Sequence, residues 1–119
     1  MGFGTRLFAT MVLAGAASHA AAADDADKIA NGHQLALMIC SACHIAAPDQ
    51  KTPPILTQPP PSLELLANRP GVDAASVQKF LLTIHLSMAN GKDMPNPQLT
   101  EDQAHDIALY VMSLRKTKD

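Results

Sequence analysis

Residues 40–44 read Cys40-Ser41-Ala42-Cys43-His44, and this segment holds both cysteines of the 119-residue chain. Two thiols three positions apart can reach one common partner, and the histidine that follows stands beside them. Thiol sulfur and imidazole nitrogen are strong metal ligands, and thiols also form covalent bonds. The fold and the function therefore depend on the chemistry that these five residues carry.

The C-x-x-C-H pattern is typical of the covalent attachment of a c-type haem. Cys40 and Cys43 can form thioethers with the two vinyl groups on neighbouring pyrroles, and His44 then becomes the proximal iron ligand. A thioredoxin-type redox pair, a zinc site and a structural disulfide are the alternatives. The first is usually found in a βαβ pattern, the second needs four ligands, and the third would close too short a loop to stabilise much. We therefore favour haem c, one per chain.

The N-terminal residues predict a secretory signal peptide. Arg6 supplies a positive charge, residues 7–17 form an apolar run too short to span a bilayer, and small residues follow as far as Ala23. We expect residues 1–23 to be removed, with cleavage between about positions 20 and 23. Residues 24–119 then form one domain. A core helix at the N-terminus is the alternative, and the acidic residues that follow at once disfavour it.

Composition excludes several classes of protein. With 9 basic and 11 acidic side chains, the formal net charge is −2, and no basic cluster indicates binding to nucleic acid. Aromatic residues make up only 3% of the chain and tryptophan is absent, so a bound cofactor would help to fill the centre of the fold. A helical bundle rich in alanine, leucine and isoleucine that folds without a cofactor is the alternative. We expect no membrane span in the mature chain.

The hydrophobic pattern predicts an all-α chain of about four helices. The predicted helices cover residues 27–40, 62–68, 74–87 and a segment that follows Thr100. Their N-caps are Ser62, Asp73 and Thr100, the last in a capping box with Gln103. We place the acidic cluster 24–27 at the start of the first helix, where the macrodipole favours it. Two irregular loops remain, 45–61 with six prolines and 88–99.

Around this motif the sequence resembles the class I monohaem cytochromes c, especially short exported bacterial ones, from about residue 29 to residue 115. Gly32 lies eight residues before Cys40, as the family's glycine does. The resemblance implies that this glycine contacts an aromatic residue of the last helix, for which Tyr110 is the match. It also implies the class I cytochrome c fold, with helices and long proline-rich loops around one haem.

Two further matches assign roles by resemblance. Pro61-Ser62-Leu63 is similar to the family's Pro-x-Leu segment, which implies that the Pro61 carbonyl accepts a hydrogen bond from His44 and that Leu63 packs on the haem ring. Met94-Pro95 is similar to the family's Met-Pro loop, which implies that Met94 is the second axial ligand.

The residues themselves offer seven candidates for that sixth ligand: Met38, Met88, Met94, Met112, His33, His85 and His105. Met38 is too close to the motif to cross to the other face of the haem, and Met112 is inside a helix. The two helical histidines, His33 and His105, are expected to be exposed. Met94 lies in a loop stiffened by proline, which suits a ligand arm. We favour Met94 and keep Met88 and His85 as alternatives.

Two protein ligands on the iron would leave no position for substrate, so we expect an electron-transfer protein rather than an enzyme. The predicted function is a monomeric periplasmic carrier that exchanges single electrons with redox partner proteins in transient encounters. The alternatives are a cytochrome subunit of a dehydrogenase complex, a haem-based sensor or peroxidase with a displaceable sixth ligand, and a thiol–disulfide oxidoreductase.

Overall fold

The structure is a computed structural model that describes residues 1, 16–83 and 94–117. It contains the helices α1 (Ala16–Ile39), α2 (Leu63–Ala67), α3 (Ala74–Thr83) and α4 (Glu101–Ser113). No strand occurs in these ranges, and the all-α prediction is confirmed. Several predicted features lie outside the described residues: positions 2–15 of the signal peptide, the last four residues of the predicted third helix with His85 among them, and positions 88–93 with Met88.

The first helix starts earlier than predicted. α1 begins at Ala16 instead of residue 27, because alanine is the best helix former and an alanine run occupies positions 20–23. The acidic cluster 24–27 therefore lies within the helix and not at its start, where it was predicted. Lys28 and Asp24 form an ion pair of 2.6 Å across one turn of the helix.

All three predicted helix caps are confirmed. The Ser62 hydroxyl accepts a backbone N–H of α2 at 3.1 Å. Asp73 accepts the Ser76 N–H at 2.7 Å, and this hydrogen bond lowers the pKa of the Asp73 carboxyl. Thr100 and Gln103 form the complete capping box that begins α4.

The centre of the fold is α4, which packs against each of the other three helices. It crosses α1 at Gly32, where a Cβ atom would lie 2.0 Å from the Asp106 carbonyl oxygen and 2.9 Å from the Tyr110 Cβ. The predicted contact between this glycine and Tyr110 is therefore confirmed. Next to it, the Asn31 side chain donates to the Asp106 carboxylate at 2.6 Å, which adds a polar contact to the crossing.

Small side chains dominate the core of the described residues. The buried apolar residues are Ala36, Ala46, Ala47, Leu63, Ala67, Leu81, Ala104, Ile107, Ala108, Tyr110 and Val111. Ile107 alone among them is both large and almost completely buried, at 1% exposure. Within the described residues, no helix is long and apolar enough to cross a membrane.

The residues that follow α4 are bonded to the end of α2 and to the loop after it. The Arg115 guanidinium donates to the Ala67 carbonyl at 2.9 Å and also to the Val72 carbonyl. The Lys116 N–H donates to the Asn68 side-chain oxygen at 3.1 Å. These contacts hold the short helix α2, and with it the end of the proline-rich loop, against α4.

Substituting Gly32→Ala should destabilise the protein by about 3 kcal/mol or more, because the two backbones cannot separate without opening the helix crossing. The exposed Gln34→Ala on the same helix is the control and should change stability by less than about 0.5 kcal/mol. Denaturant unfolding of both haem-loaded variants measures the difference. Equal stability of the two variants would show that α1 and α4 do not meet at Gly32.

Candidate functional site

The motif sits in a tight turn that continues from the end of α1. The Cys40 N–H donates to the Ala36 carbonyl at 2.9 Å, and the amides of Cys43 and His44 both donate to the Cys40 carbonyl, at 3.1 and 2.8 Å. Both cysteines are half-buried with free thiols. The turn therefore presents two thiols and one imidazole together at the end of a rigid helix.

The imidazole of His44 is oriented by the proline-rich loop. Its Nδ1 lies 2.8 Å from the Pro61 carbonyl oxygen. A carbonyl can only accept, so Nδ1 carries the proton and the lone pair of Nε2 remains for a metal. Such a hydrogen bond also raises the basicity of the ligand. The Leu63 N–H donates to the Ile45 carbonyl at 3.0 Å and holds the two segments together.

A glutamine that the sequence analysis did not single out closes the loop after the motif. The Gln50 side chain accepts the Ala46 N–H at 2.7 Å and donates to the carbonyls of Thr52 at 2.7 Å and Ser41 at 3.3 Å. The Ile55 N–H donates to the Ala42 carbonyl at 2.9 Å. No sequence pattern distinguishes such a residue from any other loop glutamine, because its bonds go to backbone groups.

Three residues connect this loop to the crossing of α1 and α4. The Tyr110 hydroxyl donates to the Ala46 carbonyl at 2.9 Å. His33 Nε2 lies 2.8 Å from the Asp49 carboxylate, and this bond lowers the pKa of Asp49. The His33 and Tyr110 rings are 5.1 Å apart. The expectation that His33 is simply exposed is therefore wrong: it is half-buried and bonded, because the loop folds back over α1.

Burial raises the pKa of the Cys40 thiol to about 11, and the neighbouring Cys43 raises it further. The cysteine of an active thiol–disulfide enzyme has instead a lowered pKa, because the thiolate is the nucleophile. Cys40 without its haem would remain protonated at neutral pH. This site therefore does not favour the thiol–disulfide interpretation.

Among the sulfur candidates, Met94 is half-buried and packs against the core, while Met38 is 77% exposed. Met112 also packs against the core, as expected for a helical methionine. His105 is half-buried and not exposed as expected. Met88 and His85 lie outside the described residues.

The chain's own residues fit a large apolar group with a metal at its centre. Three exposed apolar side chains lie near the motif. Ile45 follows it directly in sequence, and the hydrogen bond from Ile55 to Ala42 brings Ile55 and its neighbour Leu56 close to it. Their exposed fractions are 50% for Ile45, 80% for Ile55 and 45% for Leu56. Two thiols and an oriented imidazole accompany these apolar side chains. In the described part of the chain, no cluster of three or more His, Cys, Asp or Glu side chains could hold a different metal ion.

Comparison with known proteins agrees with this chemistry. The family model for cytochrome c matches residues 29–115. A curated cytochrome c-552 from Bradyrhizobium diazoefficiens is 32% identical over 105 residues, which cover 88% of each chain. No solved structure matches with significance. The chain therefore belongs to the cytochrome c family, and it is an electron carrier with covalently bound haem c.

Tyr110 is the single tyrosine of the chain, and burial raises its pKa to about 12, with the negative charge of Asp49 as a smaller cause. The folded state therefore prefers the neutral phenol. The contribution of the neutral Tyr110 phenol to the free energy of unfolding is fully present below the pKa of tyrosine in the unfolded chain, which is near 10. This contribution is lost as the pH rises through about 12.

We expect Tyr110→Phe to lower the free energy of unfolding by about 1–3 kcal/mol near neutral pH, because the buried Ala46 carbonyl loses its donor. The variant should also lose the decrease in stability that the wild type shows between pH 10 and 12. Ultraviolet difference absorbance of the phenolate and denaturant unfolding at several pH values measure both effects. Ionisation at the ordinary pKa in the folded protein would contradict the contact.

Proposed function

We propose that the protein is an exported, periplasmic carrier of single electrons, in which His44 and Met94 are the axial ligands of the haem iron. The hydrogen bond between His44 Nδ1 and the Pro61 carbonyl carries this proposal. It leaves Nε2 as the metal-binding atom and increases its basicity. Cys40 and Cys43 would form the thioethers, and Leu63, two residues after Pro61, would pack on the ring.

The segment that contains Met94 suits a ligand arm. Pro95 and Pro97 restrict its backbone, and Gln98 adopts a left-handed conformation with φ of 53°. The Asn96 side chain accepts the Gln98 N–H at 2.8 Å and supports this turn. The capping box of α4 follows at once. A backbone restricted in this way would limit the movement of Met94 between the two redox states, which would keep reorganisation small.

Bound haem c supplies an iron centre that gains and loses one electron. The soft, neutral sulfur of Met94 would favour the reduced state, while the hydrogen-bonded imidazole of His44 would favour the oxidised state. With a protein ligand on each side, oxygen and small substrates would be excluded. Electrons would therefore leave and enter through an exposed haem edge near Cys40 and Cys43.

The proposed partners are redox proteins met in transient encounters. Removal of residues 1–23 takes away Arg6 and none of the acidic side chains, which leaves a net charge of about −3. A surface with so little net charge suits brief contacts better than strong electrostatic steering. We propose a monomer in the periplasm, and the N-terminal pattern of a signal peptide supports export.

Met94→Ala should abolish the weak far-red absorption band of sulfur-to-iron ligation, lower the reduction potential and allow carbon monoxide to bind the reduced protein. Met38→Ala is the matched control, because Met38 is 77% exposed and should leave all three properties unchanged. Visible spectroscopy and redox titration of the purified proteins measure them. Carbon monoxide binding by the wild type would favour the sensor or peroxidase alternative instead.

Export should produce a mature chain that begins between about residues 21 and 24 and carries one haem. Intact-mass spectrometry of the periplasmic protein measures the cleavage site and the added haem mass together. A mature protein that still contains residues 1–19 would contradict the proposed signal peptide, and a correctly cleaved protein without haem would contradict the proposed attachment.

A further inference from the structure

Ala46 lies two residues after His44 and is completely buried, at 0% exposure, in a segment without regular secondary structure. Buried backbone groups need hydrogen-bond partners, and here no helix or sheet supplies them. Two side chains do so instead. The Tyr110 hydroxyl donates to the Ala46 carbonyl at 2.9 Å, and the Gln50 carboxamide accepts the Ala46 N–H at 2.7 Å.

Gln50 also joins the chain on both sides of the turn that follows the motif, at residues 46–50. The same carboxamide that accepts from Ala46 donates to the carbonyl of Thr52, after the turn, and to that of Ser41, inside the attachment motif. A single side chain thus uses its acceptor and both its donors on three backbone groups that surround His44 in sequence. No other amino acid offers an acceptor and two donors at this length.

The turn takes part in returning the rest of the loop to the imidazole, together with the bond between the Leu63 N–H and the Ile45 carbonyl. Residues 45–61 contain no helix or strand, so their path depends on individual hydrogen bonds. Beyond Thr52 the chain pairs with the motif again through the Ile55 N–H, and it then arrives at Pro61, whose carbonyl accepts from His44. A change in the turn would therefore move the acceptor of the His44 hydrogen bond.

We propose that Gln50 is a positioning residue for the proximal histidine: its carboxamide fixes the turn after the motif and thereby keeps the Pro61 carbonyl on His44 Nδ1. The inference rests on the proposed function, in which His44 Nε2 binds the iron. Through the basicity of His44, Gln50 then tunes the reduction potential of the carrier.

The first measurement is made on the wild-type haem-loaded protein. Nuclear magnetic resonance gives the solvent exchange rates of the side-chain amide protons of Gln50 and of Gln58, an exposed glutamine in the same loop. The Gln50 protons should exchange on the order of tenfold more slowly, because they are hydrogen-bonded to two carbonyls. Equal rates for the two side chains would overturn the proposal without any substitution.

The second measurement compares Gln50→Met and Gln50→Glu with the matched controls Gln58→Met and Gln58→Glu. In Gln50→Met the His44 Nδ1 proton should exchange on the order of tenfold faster than in the wild type, and the reduction potential should rise, because a less basic imidazole stabilises the oxidised iron less. Gln50→Glu keeps the acceptor for Ala46 but loses both donors, so its effects should be intermediate.

A purely structural role for Gln50 would lower the thermal midpoint while leaving the His44 proton exchange and the potential equal to those of the Gln58 variants. That result would overturn the proposal. If Gln50→Met yields no haem-loaded protein, the Gln50→Glu variant and the wild-type exchange rates test the positioning role of Gln50. Absence of haem from the wild type would instead contradict the proposed function, so the two failures are distinguishable.

Discussion

The close approach of α1 and α4 at Gly32 is the constraint on which the rest of the molecule depends. α1 ends in the turn that carries Cys40, Cys43 and His44, and α4 follows the segment that carries Met94. The crossing therefore determines where the attachment motif lies relative to the segment that carries Met94. A side chain at Gly32 would overlap the backbone of α4 near Asp106, so the position tolerates only glycine.

Between the motif and α2 the fold relies on side chains to satisfy the backbone. The prolines of the 45–61 loop remove amide donors and prevent a helix or central strand. Polar side chains supply the missing hydrogen bonds: Tyr110 satisfies the carbonyl of Ala46, and Gln50 satisfies its N–H. The bond between the His33 and Asp49 side chains adds a further contact between the loop and α1. As a result, the orientation of the imidazole of His44 depends on contacts that are distant in sequence.

The composition of the core explains why a covalent cofactor suits this chain. Half of the buried residues in the described ranges are alanines, and Ile107 is the one large side chain with almost no exposure. Alanine supports close helix packing but contributes little apolar area. Covalently bound haem c, which membership of the cytochrome c family implies, supplies a large apolar group that the side chains of this chain do not provide.

The sequence by itself determined the helical class, the three N-caps and the attachment motif, because these depend on residue type and spacing over a few positions. A glycine inside a helix indicated a close approach at Gly32, and the resemblance to the family supplied Tyr110 as its partner. It misplaced the start of α1, since alanine propensity extends a helix without any cap signal. Only the tertiary structure decided that His33 is bonded, that Arg115 binds the backbone at the end of α2, and that Gln50 closes the loop. These contacts join side chains to partners that no local pattern specifies, so they exist only once the chain has folded.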